Sequence, residues 1–134
     1  MNSVRRAAVL LLAALMASAS LTACNSATVI EIDIADKRIS EFLQDGTVIT
    51  EIRVKAGQPY LFRINNPFDK DHNFYIGAKE DLAAQEYSRL VGIKLWSADT
   101  KEITYTFKSG DVLQFACTLA GHYSPMHGDI IVEG

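Results

Sequence analysis

An all-β sandwich of about seven short strands with one short helix is the fold class this sequence predicts, and three observations predict it. Apolar and polar residues alternate with the period of a half-buried strand in run after run along the chain. Turn-forming residues separate those runs. A helical period appears in one stretch, 81–91, which is too short to define a second layer of its own.

The first run sets Ile30, Ile32 and Ile34 against Glu31 and Asp33 and predicts a strand over 28–35. Alternation returns over 47–55. Ala56-Gly57-Gln58-Pro59 then turns the chain into a strand with Tyr60, Phe62 and Ile64 on one face. A loop over 65–71 follows, and His72 opens the next strand, through Ile76. In the helical stretch, Ala83, Tyr87, Leu90 and Val91 fall at i, i+4, i+7 and i+8, with acidic residues in front and Gly92 behind. Ile103, Tyr105 and Phe107 alternate with polar residues, Ser109-Gly110-Asp111 turns the chain into a strand over 112–117, and 130–132 closes it. This spacing of short strands predicts antiparallel pairing. Trp96 and Tyr87 are assigned to the core, the helix to a cap on the sandwich, and Asp69, Asp71, Glu80 and Asp81 to a solvated face.

Of the 134 residues, 49% are hydrophobic and 22% charged, with 3 prolines, which excludes low-complexity disorder and collagen-like repeats. Arg5-Arg6 followed by an apolar stretch from Ala7 to Ala17 reads as a secretory signal over 1–23, because a membrane span needs about 20 apolar residues. Leu21-Thr22-Ala23-Cys24 resembles the bacterial lipoprotein box, in which the leader is cut before a cysteine that carries thioether-linked lipid. The expected organisation is a signal over 1–23, a lipidated Cys24 with a short tether to 27, and one domain over 28–134. Without Arg5 and Arg6 the 13 basic residues fall to 11 against 16 acidic ones, a balance of −5 that argues against a nucleic-acid partner. Membrane contact is expected through the lipid on Cys24, on the periplasmic or extracellular face, and the expected form is a monomer.

With Cys24 lipidated, Cys117 is a lone thiol in an exported protein, which excludes a disulfide framework. Engagement by a metal is one way to keep such a thiol from oxidation. The segment Cys117-Thr118-Leu119-Ala120-Gly121-His122-Tyr123-Ser124-Pro125-Met126-His127-Gly128 places a thiol, imidazoles and a thioether within a loop after a strand. Thiolate and thioether are soft donors suited to copper, and two imidazoles, one thiolate and a long axial methionine form an electron-transfer copper set. His72 is the histidine outside this loop, so it completes the set.

The order His, long gap, Cys, His, Met, with a Gly-Gln-Pro turn and an apolar strand before the first His, resembles the cupredoxins, the small blue copper proteins. Cys117-Thr-Leu-Ala-Gly-His122 is similar to the azurin-like members, where four residues separate Cys from His. The resemblance covers nearly all of 24–134 and implies a Greek-key β-sandwich with the first strand starting at the pole opposite the metal. It implies one copper, cycling between Cu(II) and Cu(I), bound by His72 and His122 through imidazole nitrogen, Cys117 through thiolate and Met126 through a weak axial sulfur. It also implies that Asn73 and Thr118 hydrogen-bond across the two ligand loops. Three residues separate His122 from Met126 here, where azurin-like members have four, so His127 sits at the usual axial count. Met126-His127-Gly128 nonetheless matches the family's Met, any residue, Gly at the start of the last strand, and thioether softness supports Met126. His127 is expected beside the site or at the surface.

Enzyme classes fit poorly. A Cys-His hydrolase needs its thiol free and an oxyanion site, and a filled coordination sphere leaves no position for substrate. Electron transfer between redox partners such as a cytochrome or an oxidoreductase is the expected function. Copper holding or delivery is the alternative, separable by whether the site exchanges its metal.

Overall fold

The structure, a computed structural model, describes residues 26–134. The expected signal over 1–23, Cys24 and Asn25 lie outside the described residues. Ten strands form two five-stranded sheets. In chain order they are β1 (Thr28–Asp36), β2 (Ser40–Gln44), β3 (Thr47–Val48), β4 (Glu51–Lys55), β5 (Pro59–Asn66), β6 (His72–Gly77), β7 (Val91–Trp96), β8 (Asp99–Thr106), β9 (Leu113–Ala116) and β10 (His127–Glu133). One sheet runs β3-β2-β1-β5-β8 and the other β4-β10-β9-β6-β7. Between β6 and β7 lie the short helix α1 (Lys79–Ala83) and a 3₁₀ turn, Tyr87–Arg89. No helix among the described residues is long and apolar enough to cross a membrane.

The alternation read from the sequence is the pleat that builds the core. Ile30, Ile32 and Ile34 of β1 and Tyr60, Phe62 and Ile64 of β5 point inward from one sheet; Ile52, Val54, Phe74, Phe115 and Ile130 answer from the other. Phe42, Phe62, Phe74, Phe107 and Phe115 pack edge-on, tilted or, for Phe74 on Phe115, stacked at ring-centroid spacings of 5.5–6.1 Å along the centre. Strand β6 is buried on both faces. Phe74 and Ile76 face the core, and Tyr75 packs with Leu82 and Leu90 beneath the α1 excursion.

The structure corrects four expectations. The pairing is mixed, because β1 and β5 run parallel, as do β4 and β10. Period-two patterning shows which face is buried and is silent on strand direction. There are ten strands where about seven were expected: β2 and all of β7 beyond Val91 fall in stretches given no element by the sequence reading, and 47–55 is two strands. The amide of Ile49 donates to Phe42 in one sheet while the carbonyl of Thr50 accepts from Asp129 in the other, so the chain changes sheets at that peptide. The helix over 81–91 is instead α1, a 3₁₀ turn and the start of β7. Gln85, at φ 55°, breaks the helical path, and of the four residues on the expected apolar face only Leu90 is buried. Finally, Trp96 is in the core, but Tyr87 is 46% exposed. Asp69, Asp71 and Glu80 are exposed as expected, and the half-buried Asp81 pairs with Arg89 at 3.4 Å.

Candidate metal centre

Three strand ends meet at one pole of the sandwich. The β6–β9 register sets Tyr75 opposite Ala116, and the β9–β10 register sets Ala116 opposite His127. The end of β9, which continues into Cys117, therefore lies between the start of β6, at His72, and the start of β10. A register shift between His72 and Phe74 bulges β6 against β7, and such a bulge re-aims the side chains beside it. The loop before His72 is held by Asn66, whose buried amide donates to the carbonyls of Lys70 and Trp96 and accepts from the Phe68 amide.

The 117–126 loop is closed on itself. The amide of His122 donates to Leu119, that of Met126 to His122, and that of Cys117 to Met126, each at 2.9 Å. Gly121 takes φ +79° just before His122, a conformation that L side chains rarely adopt. Gly128 is needed for a different reason: a Cβ there would lie 2.3 Å from the Phe115 ring, so β10 approaches β9 only without one.

This folding brings His72, Cys117 and His122 together, with one donor atom of each within 4.8 Å of the others. The Cys117 Sγ lies 4.0 Å from His72 Nδ1 and 3.7 Å from His122 Nδ1, and the two imidazole rings are 5.1 Å apart. His72, Cys117 and Met126 are fully buried. Of the four expected ligands, only His122 reaches solvent, at a shallow cavity whose lining includes Ile39, Lys70 and Pro125. Burial lowers the proton affinity of His72, with the neighbouring His122 adding to it, and burial chiefly lowers that of His122. Both shifts favour the neutral ring, the form with a lone pair to offer a metal. Burial also pushes the Cys117 thiol up, so its deprotonation awaits a compensating positive charge. His72 Nε2 is a buried polar atom with no protein hydrogen-bond partner among the described residues.

Asn73 and Thr118 make the cross-loop contact that the resemblance implies. The Thr118 amide donates to Asn73 Oδ1 at 2.7 Å, and Asn73 Nδ2 donates to Thr118 Oγ1 at 3.0 Å, both buried. His127 is not part of the cluster. Its Nδ1 faces the Tyr123 and Ser124 carbonyls at 2.9 and 3.0 Å, and its ring stacks on Tyr123 at 4.8 Å. Tyr123 in turn donates to Gln114, and Gln114 to Asp129, both at 2.7 Å. Sequence reasoning missed Gln85 and Tyr87, which bond the Thr118 carbonyl and hydroxyl across more than thirty residues, and no local pattern marks them. It also missed Asp36, which accepts from Lys70 and Ser40 at 2.8 Å and ties the end of β1 to the loop before His72.

The donor chemistry fits a soft, redox-active ion: two imidazoles and a thiol converge, and a buried thioether closes the same loop. No family model and no curated protein sequence matches the chain. Solved structures do. The dithionite-reduced auracyanin of Roseiflexus castenholzii is similar at TM-score 0.64 and 22% identity, covering 81% of this chain and 99% of that one. Auracyanin A, described as a "blue" copper protein from Chloroflexus aurantiacus, gives 0.61 and 21%, covering 81% and 100%. An azurin from Methylomonas sp. strain J gives 0.60 and 12%, again covering 81% and 100%. Two mixed sheets, three strand ends that gather His72, Cys117 and His122 at one pole and these neighbours agree with the resemblance read from the sequence, and the chain has the cupredoxin fold.

Proposed function

We propose that this protein is an exported electron-transfer protein that holds one copper on His72, Cys117, His122 and Met126. The observation that carries the reading is the convergence of both Nδ1 atoms on the Cys117 sulfur within a closed, buried loop. Bound copper supplies a one-electron couple there. The residues do the rest: burial favours neutral imidazoles, the Cys117–Met126 backbone bond fixes the loop ends, and Asn73 with Thr118 fixes one ligand segment against the other. His122, at the surface, is the exit for the electron towards a redox partner such as a cytochrome. The similarity to an auracyanin described as a blue copper protein supports this reading.

Four donors leave no position for a substrate, so the proposed role is relay rather than catalysis. Full burial of His72, Cys117 and Met126 favours relay over copper holding or delivery, because a delivered ion must be reached by its acceptor. Lipid on Cys24 would tether the domain to the periplasmic or extracellular face of a membrane. Cyclic voltammetry of copper-loaded residues 24–134 in the presence of a chelator tests the function. The expected result is a reversible one-electron wave with copper retained over many cycles; progressive loss of copper to the chelator would favour delivery instead.

A further inference from the structure

The excursion between β6 and β7 does more than cap the sandwich. It is five helical residues followed by Gln85 at φ 55°, a left-handed conformation that costs a non-glycine residue strain. That strained residue aims its side-chain amide at the Thr118 carbonyl. Two residues later the Tyr87 hydroxyl lies 3.2 Å from Thr118 Oγ1, while the Tyr87 ring rests on Tyr75 at 5.2 Å. With Asn73 on the other side, the Thr118 amide, hydroxyl and carbonyl are all held. Thr118 is bonded directly to Cys117, and Gln85 and Tyr87 are both exposed.

We infer that Gln85 and Tyr87 are positioning residues: they clamp Thr118 from the surface and thereby fix the Cys117 sulfur against the two imidazoles. The inference rests on the proposed copper site for its functional meaning but not for its geometry. The strain at Gln85 is retained because the turn it produces delivers both side chains to one residue. A segment that served only to cover Tyr75 would need neither polar contact, since Leu82 and Leu90 already do so.

Two measurements on Gln85→Gly, Tyr87→Phe and the control Ser88→Ala test the clamp. Gln85→Gly keeps the left-handed turn without strain and removes the amide; Tyr87→Phe keeps the ring on Tyr75 and removes the hydroxyl. The first measurement is amide hydrogen exchange in the metal-free domain. The Thr118 amide should exchange faster in both clamp variants and at the wild-type rate in Ser88→Ala, relative to core amides such as that of Phe62. The second is removal of copper by excess chelator, which should quicken on the order of 10-fold in both clamp variants, with a displaced visible band. Unchanged Thr118 exchange would overturn the clamp, and so would faster exchange with wild-type copper removal and spectrum. If the wild-type domain takes up no copper, the functional proposal fails and the exchange rates alone decide the clamp. Tyr87→Phe decides it if Gln85→Gly does not fold.

Discussion

Cys117 is the residue on which the site turns, and its neighbours explain why its role could be read early. A lone thiol, a histidine five positions on and a methionine four beyond that lie in one loop, so their chemistry is local in sequence. His72 is 45 residues away and was found by its residue type and the scarcity of histidines. Gln85 and Tyr87 carry no such mark, since a glutamine or tyrosine acquires meaning here only from which backbone it meets after folding. At the axial position, the short loop left two candidates, Met126 and His127. Met126 is fully buried, whereas Nδ1 of His127 is turned to the Tyr123 and Ser124 carbonyls. Met126→Leu is expected to keep the colour and raise the reduction potential, because loss of a weak donor destabilises Cu(II). His127→Ala should keep both colour and potential close to wild type while lowering domain stability by about 1 kcal/mol through the lost clasp. Spectroelectrochemistry and denaturant unfolding of the two variants would check this, and collapse of the spectrum in His127→Ala would hand the axial role to His127.

Among elements, β1, β5, β6, β9 and β10 were legible because each is a half-buried or fully buried run bounded by turn residues. The parallel pairings and the change of sheets between Ile49 and Thr50 were not, because the spacing of Val48, Ile52 and Val54 runs unbroken across the crossing although both residues of β3 are exposed and only β4 buries its apolar side. The helical period over 81–91 misled for a related reason: apolar spacing can arise across a turn. At this scale the connection between β1 and β2 also acts on the site. Asp36 is held below the usual carboxylate range chiefly by the hydrogen bond from Lys70, against the opposing effect of burial. A depressed folded-state value makes its contribution to stability fully present above the ordinary carboxylate value and lost as pH falls through the depressed one. Lys70→Met should therefore raise the Asp36 titration, measured by carboxyl NMR, and move the onset of acid unfolding of the metal-free domain to higher pH. An Asp36 titration unaltered by the substitution would show that Lys70 is not its partner.

Over the whole molecule, the site and the start of the chain's described part lie at opposite poles. β1 runs from Thr28, opposite Tyr60, to Asp36, which Lys70 binds beside the loop leading into His72. A lipid on Cys24 would therefore hold the far pole to the membrane on a tether of at most ~3.6 Å per residue and leave His122 facing outward. Expressed in a bacterium, wild-type protein is expected in the membrane fraction and the Cys24→Ala protein outside it in unlipidated form; wild-type protein recovered soluble and unlipidated after export would remove the anchor. Fold class and the meeting of His72, Cys117 and His122 were legible because alternation and donor types are properties of the sequence, whereas strand direction and the contacts to Thr118 are set by tertiary pairing.

The visible absorption and electron-spin-resonance spectrum of copper-loaded residues 24–134, beside that of Cys117→Ser, tests the central claim most directly. Thiolate-to-copper charge transfer should give the wild-type protein an intense visible band at one copper per chain, and Cys117→Ser should lose that band. A band of unchanged position and intensity in Cys117→Ser, or a colourless wild-type protein with copper bound, would contradict the account.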